Sequence, residues 1–323
     1  MSSPDPETLR VVFFGTADFA VPALERLTAG PGVEVLSVVT QPDRPKGRGH
    51  KTAAPPVKTA AERLGLPVLQ PTRLRSGRLA EALGLMAPDF FVVAAYGRIL
   101  PREMLRIPRV APVNIHGSLL PRYRGAAPIQ RALMDGCVET GVTTMVMTDE
   151  LDAGDILQTA TYRIRDDDDA GSVTSALADM GAALILETLQ RMAAGQQTRT
   201  PQDHAQATYA PPITQDDCIL RWGEPAERVC HRIRAMSPRP GATTEHAGRR
   251  LKVLRARPVP SETAAAPGEI IAVTRDGVLV QAGCGAVGLE TVHPEGRRPM
   301  PAADWARGAR VVPGTRFATI PSP

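Results

Sequence analysis

Cysteine, aromatic residues and lysine are all scarce in this chain. Its 323 residues hold 4 cysteines, 2 tryptophans, 4 tyrosines and 6 phenylalanines. Cys137, Cys218, Cys230 and Cys284 lie far apart, no Cys-x-x-Cys pair occurs, and the 6 histidines are scattered. A disulfide framework or thiolate zinc site is therefore not expected. The cysteines are expected to be core thiols, and no metal is expected. No apolar run approaches a bilayer span, so no membrane partner is expected. The opening, Met1-Ser2-Ser3-Pro4-Asp5-Pro6-Glu7, is polar and acidic. It is neither a signal peptide nor an arginine-rich transit peptide. Residues 1–8 are expected to be a disordered tail, and the protein is expected in the cytoplasm.

What is present describes a globular protein. Hydrophobic residues make up 43% and charged residues 22%, ordinary values for a packed domain. The length suits two domains. Residues 1–200 carry 22 basic and 22 acidic side chains, and residues 201–323 carry 16 and 12, so the net charge of +4 falls in the second part. A basic second domain suits an anionic partner such as nucleic acid. The excess is mild, and arginine far outnumbers lysine in a chain rich in alanine and proline. Charge alone therefore does not choose the partner.

Leu9-Arg10-Val11-Val12-Phe13-Phe14 reads as a buried first strand. Gly15 to Phe19 turns the chain into a helix, with Pro22 in its first turn, and Val33–Thr40 is a second strand. This is a βαβ unit. Its turn lacks the G-x-G-x-x-G fingerprint, which disfavours a nicotinamide oxidoreductase. Helices are expected at 56–65, 76–85 and 129–134, strands at 67–70, 89–95 and 141–147, and a long helix from about Ser172 to Ala193. Asp166–Asp169 reads as a solvated loop before that helix. Residues 195–215, rich in Gln, Thr, Pro and Ala, read as a linker. Beyond it, short strand-like runs at 251–256, 269–274, 278–281 and 287–292 follow a helix at 227–236 and suggest a small barrel. The domains are therefore expected at 9–194 and 216–323.

The densest chemistry lies between Val113 and Asp155. In an extended Val113-Asn114-Ile115-His116 segment, Asn114 and His116 share a face and the two apolar residues face a core. They emerge at a strand's carboxyl end, where open α/β sheets bind ligands. An amide and an imidazole side by side form a donor pair for an oxyanion. A carboxylate from Thr148-Asp149-Glu150-Leu151-Asp152-Ala153-Gly154-Asp155 could orient the imidazole or favour its charged form. Spacing leaves Asp149, Glu150, Asp152 and Asp155 all open. Such a set is equipped for attack on an acyl or formyl carbon.

Asn-x-His-x-Ser-Leu-Leu-Pro, then Tyr123-Arg124-Gly125, then Leu151-Asp152-x-Gly154-Asp155 resembles the formyltransferases that use 10-formyltetrahydrofolate. The resemblance runs from Val11 to about Phe317 and is strongest to the members that act on methionyl initiator tRNA. It implies an α/β fold, a Rossmann-like formyltransferase domain followed by a C-terminal OB-like β-barrel that binds tRNA. It implies Asn114, His116 and Asp152 as catalytic. It also implies folate contacts at Ser118, Leu119, Leu120 and Pro121, and at the turn holding Tyr96, Ile99 and Leu100. At that turn, simple core packing by Ile99 and Leu100 is an equal alternative.

Gln41 to Lys51 is the most unusual loop, and its prolines and glycines are expected to keep it out of helix and strand. It follows a strand's carboxyl end, where arginines could meet phosphates. The resemblance implies tRNA contacts at Arg44 and Arg48, supported by Lys46 and Lys51. Arg239 stands between prolines where relatives often carry an aromatic. A monomer is expected. The rivals are a glycinamide ribonucleotide or amino-sugar nucleotide formyltransferase of the same fold, or a non-enzymatic RNA-binding protein.

Overall fold

The computed structural model describes residues 8–46, 51–75 and 77–318. The chain divides into two compact units. One comprises the described residues to Pro128, Glu139–Arg163 and Thr174–Ala210, and the other Ile129–Val138, Ile164–Val173 and the chain from Pro211.

The first unit is built on β1 (Leu9–Gly15). Val11, Val12, Phe13 and Phe14 are all fully buried, as a central parallel strand covered on both faces requires. The elements that follow are α1 (Val21–Ala29), β2 (Val33–Val39), β3 (Arg44–Lys46), β4 (Lys51–Ala53), α2 (Pro56–Arg63), β5 (Val68–Leu69) and α3 (Gly77–Leu85). Then come β6 (Phe90–Ala94), α4 (Arg102–Leu105), β7 (Ala111–His116) and β8 (Arg124–Gly125); α5 (Pro128–Met134) follows in the chain but belongs, from Ile129, to the second unit. The unit closes with β9 (Glu139–Val146), β10 (Ile156–Arg163), α6 (Ala170–Ala193), which belongs to it from Thr174, and β11 (Tyr209–Ala210). Seven strands form one sheet in the order β10-β9-β7-β6-β1-β2-β5. β5, β2, β1, β6 and β7 run parallel, while β9 is antiparallel to β7 and β10 is antiparallel to β9.

Alternate side chains of β1 serve opposite cores. Val11 and Phe13 join Leu24, Val113, Ile115, Ile185 and Leu189 on the face covered by α1 and α6. Val12 and Phe14 join Leu79, Leu83, Val93, Leu100 and Met104 on the face covered by α3 and α4. The 24-residue α6 is apolar enough to cross a membrane on length and composition, contrary to the expectation that nothing here approaches that length. Its apolar face is used in the core instead. At Gly181 it comes so close to β7 that an added Cβ would lie 2.8 Å from Ile115 Cγ2.

The second unit holds α7 (Ala226–Met236), β12 (Ala242–His246), β13 (Arg249–Val259), β14 (Ile270–Val273), β15 (Val278–Gln281), β16 (Ala286–Pro294), β17 (Met300–Pro301), α8 (Ala302–Ala309) and β18 (Phe317–Ala318). The strand path is β14-β15-β16-β13-β12-β18, all antiparallel, with β17 beside β16. Its two ends return to each other through an antiparallel bridge between Glu269 and Arg316 and the Ile270 N to Thr315 O bond of 2.8 Å. This is an OB-like barrel. Irregular register at Arg255 bends β13 against β16, as bulges do. Trp222 stacks on Phe317 at 5.4 Å, and Trp305 stacks on Phe317 at 5.9 Å.

Two compositional expectations change. Of the cysteines only Cys230 is buried, and burial pushes its thiol up to about 12. Cys137 and Cys218 are half-buried and Cys284 is exposed. The acidic run is not uniformly solvated. Asp168 is buried, accepts from Arg165 N at 2.8 Å and from the Ser172 hydroxyl at 2.7 Å. Such local bonds fix the turn into α6 and compensate the buried charge.

Candidate active site

β7 presents its side chains according to the two-residue period. Val113 and Ile115 enter the α6 core. Asn114 pairs in register with Val93, whose side chain lies on the opposite face. His116, two residues on, shares the Asn114 face and is 5% exposed. Among the described residues the Asn114 side chain has no hydrogen-bond partner, so its amide is available.

The imidazole is held at one nitrogen and faces a carboxylate with the other. Nε2 lies 2.9 Å from the Tyr123 carbonyl oxygen. A carbonyl only accepts, so this nitrogen carries the hydrogen. Nδ1 lies 3.6 Å from Asp152 Oδ2, too far for a hydrogen bond but close enough for charge to be felt. Since Nε2–H is committed, His116 can donate to an oxyanion only through Nδ1–H, and hence only as the imidazolium. The neutral ring instead presents a bare Nδ1 that can accept a proton.

Asp152 is set with equal care. Its backbone is left-handed, with φ 48°, and so is Tyr123, with φ 60°. Such residues cost about 1 kcal/mol or more and persist where their surroundings hold them. Oδ2 of Asp152 accepts from Gly125 N at 2.8 Å. Asp149, the first open alternative, pairs with exposed Arg102 at 3.0 Å.

The remaining holding groups come from residues 200–210, which read as linker from composition. Tyr123 N donates to the Thr208 hydroxyl and Arg124 N to the Thr208 carbonyl, both at 2.8 Å. β11 then pairs with β8. Buried Gln202 donates from Nε2 to the carbonyls of Asp152 at 2.9 Å and Gly154 at 2.7 Å. Its Oε1 accepts from Arg124 Nε at 3.1 Å and Nη2 at 2.7 Å. Gln202 was not legible as a site residue, because an amide outside any motif carries no signal.

The expected folate positions fall in different surroundings. Ile99 is 81% exposed, which overturns core packing as its role. Leu119 and Pro121 are half-buried. Tyr96, Leu100, Leu120 and Ser118 are buried. Burial raises the Tyr96 phenol against the opposing effect of Arg98. The Ser118 hydroxyl donates to Arg122 O at 2.7 Å, and Thr143 Oγ1 donates to Ser118 O at 2.7 Å. Ser118 therefore fixes its own turn.

The basic loop is not free of strand. β3 and β4 form an antiparallel pair, with Pro45 opposite Thr52 and Lys46 opposite Lys51. Proline is tolerated because a two-stranded ribbon is all edge. Arg48 lies outside the described residues, and so do the side chains of Lys46 and Lys51. Arg44 is exposed and donates to Gln41 Oε1 at 2.7 Å. Gln41 donates onward to Tyr96 O at 2.8 Å. Asp43 accepts from Lys58 at 2.7 Å and Gln70 at 2.6 Å, and the Lys58 bond leads the causes holding its carboxyl low.

A Rossmann-like sheet with an amide and an imidazole at the end of β7, and a carboxylate brought beside them by the loop between β9 and β10, suits a group transferase acting on a carbonyl carbon. The chain belongs to the formyl transferase family: the formyl transferase domain matches residues 9–189 and the family's C-terminal domain matches residues 212–310. It is 47% identical over 306 residues to the methionyl-tRNA formyltransferase of Moorella thermoacetica, covering 95% of this chain and 98% of that protein. It is 48% identical over 317 residues to that of Heliobacterium modesticaldum, covering 96% and 100%. In fold it is similar to an N-formyltransferase from Helicobacter canadensis solved with folinic acid and dTDP-3-aminofucose, at TM-score 0.65 and 17% identity over 87% of this chain and 99% of that one. It is also similar to HypX from Aquifex aeolicus solved with tetrahydrofolic acid, at TM-score 0.61 and 20% identity over 93% and 47%.

Proposed function

We propose that this enzyme transfers the formyl group of 10-formyltetrahydrofolate to the α-amine of methionyl initiator tRNA. The carrying observation is the His116 Nδ1 to Asp152 Oδ2 approach of 3.6 Å at the end of β7, in a chain 47% identical along almost its whole length to methionyl-tRNA formyltransferases.

In this reading the neutral α-amine attacks the formyl carbon. A carbon–nitrogen bond forms, and the carbonyl pair moves onto oxygen. The Asn114 amide donates to that oxygen. His116, as the imidazolium, donates from Nδ1–H, and the Asp152 carboxylate stabilises that charge. The bond from the formyl carbon to folate N10 then breaks; the one proton lost by the attacking nitrogen is taken by Asp152, directly or by water, and passed on to N10, so the enzyme ends in the state in which it began. The donor is already activated, so the step needs no metal. Ile99, Leu119 and Pro121 offer apolar surface to the folate, while Tyr96, Leu100, Leu120 and Ser118 shape the turns beneath. Arg44 and Arg48, with Lys46 and Lys51, meet tRNA phosphates, and the barrel of the second unit adds to that contact. The enzyme acts as a monomer in the cytoplasm, where its tRNA substrate is used for initiation.

The test is formyl transfer from 10-formyltetrahydrofolate to methionyl initiator tRNA, run beside free methionine and an amino-sugar nucleotide. Formylation of the tRNA alone is expected. Formylation of the sugar nucleotide instead would discard the tRNA reading and keep the catalytic one. Tetrahydrofolate release with neither substrate would refute both.

A further inference from the structure

The motif Tyr123-Arg124-Gly125 has no assigned role in the chemistry above, yet every part of it touches the site. The Tyr123 carbonyl holds His116 Nε2–H at 2.9 Å. The Gly125 N–H holds Asp152 Oδ2 at 2.8 Å. The Arg124 side chain lies between them in sequence, is only 3% exposed and makes no contact with an acid among the described residues. Its Nε and Nη2 go to Gln202 Oε1, and its Nη1 lies 3.4 Å from His204 Nδ1.

We propose that Gln202 and Arg124 are positioning residues that set the distance between His116 and Asp152. The proposal rests on the reading of those two residues as catalytic. Gln202 uses its whole hydrogen-bonding capacity, two donors to the Asp152 and Gly154 carbonyls and two lone pairs to Arg124. Its orientation is unambiguous. A flipped amide would set its NH2 against the guanidinium and its oxygen against two carbonyls. The bonds close a ring from Asp152 Oδ2 to Gly125, through the backbone to Arg124, through its side chain to Gln202, and back to the Asp152 carbonyl. The ring fixes both the carboxylate and the left-handed backbone that carries it. The same turn fixes the imidazole through Tyr123. One three-residue turn thus holds both partners of the pair.

The geometry makes the effect specific. Loss of the two amide donors frees the Asp152 carbonyl, and the residue can leave its left-handed conformation. Oδ2 then moves relative to Nδ1, while Asn114, His116 and the folate turns stay where β6 and β7 put them. The loss belongs in kcat, and a displacement near 1 Å costs about 10² in rate.

The experiment compares Gln202→Leu and Gln202→Glu in the full-length enzyme. Glutamate keeps the size and the Arg124 partnership but faces the two carbonyls with oxygen. Each is made in the wild-type and in the Asp152→Asn background, with kcat, both KM values and melting temperature measured. The expected result is a fall of about 10- to 100-fold in kcat for both variants in the wild-type background, with both KM values within about threefold. In the Asp152→Asn background neither should lower kcat further by more than about twofold, because the group being positioned is already gone. Equal losses in both backgrounds, a loss confined to KM, or a Gln202→Glu enzyme with normal kcat would overturn the proposal. If Gln202→Leu does not fold, Gln202→Glu decides. If Asp152→Asn alone keeps normal turnover, the catalytic reading itself has failed, a result separate from the behaviour of Gln202.

Discussion

Gly154→Ala is a test of the acid loop that substitutes no polar side chain. The position does not need glycine for its backbone, since its φ is not in the left-handed region. It needs glycine for space. A Cβ there would lie 1.9 Å from the Val146 carbonyl oxygen and 2.9 Å from its carbon. Val146 is the last residue of β9 and pairs with fully buried Val113, so the strand resists displacement and the loop is the part that moves. Reaching ordinary contact at 3.4 Å requires the loop to retreat by about 1.5 Å. That retreat takes the 2.7 Å bond from Gln202 to the Gly154 carbonyl out of range. It also strains the Val146 N to Asp155 O bond of 3.0 Å. Asp152 lies two residues away and must move with it. The expected cost is about 10² in kcat and about 1–3 kcal/mol in stability, the usual range for an overpacked site. The assay is single-turnover formyl transfer at saturating donor and methionyl-tRNA, beside thermal melting. A variant that melts lower but keeps kcat within about threefold would refute the idea that the loop's position controls turnover.

Asn114→Ala and His116→Ala are each expected to lower kcat by about 10²–10³, the loss of one oxyanion donor, with melting temperature unchanged for Asn114→Ala because that amide holds no neighbour. Arg44→Ala is expected to raise KM for methionyl-tRNA, leave kcat unchanged, and lower the salt dependence of binding by about one charge. An unchanged salt slope would remove Arg44 from the interface. Burial alone would raise Asp217, but hydrogen bonds from Arg131 and Thr214 outweigh it and bring its carboxyl from 3.8 down to about 2. A depressed carboxyl stabilises the fold above its unfolded value and loses that contribution as pH falls through the folded value. Asp217→Asn should therefore cost about 1 kcal/mol near neutral pH, after discounting for screening. The gap from wild type should close between about pH 4 and pH 2, as read by denaturant melts across that range.

Much of the sheet was legible because burial leaves a plain pattern. A short Val-Val-Phe-Phe run ending at Gly15 favours a strand apolar on both faces, and the alternation Val113-Asn114-Ile115-His116 puts two polar groups on one side. The misses share a physical reason, which is that long-range bonding overrides local composition. Pro45 and the glycines beside it argued against strand, yet β3 finds a partner in β4 and needs no second neighbour. Four adjacent acids argued for a solvated loop, yet Asp168 turns inward to Ser172 and Arg165. β12, β18 and α8 left weak local signals, and the barrel's ends are joined by pairings between residues 269–270 and 315–316.

Gln202 is the sharpest case. Its partners lie 48, 50 and 78 residues away, and an uncharged amide gives no hint of them. The two family models end at residue 189 and resume at residue 212, and composition reads the stretch between as a spacer, although relatives align along almost the whole chain. In the folded chain it lies within the first unit and supplies Gln202, Thr208 and Ala210 to the turn that holds His116 and Asp152. A tether would need only length and flexibility, and substitutions in it would be silent. A clamp needs particular donors and acceptors at particular places. The kinetic consequence of changing Gln202 decides which of the two residues 200–210 are.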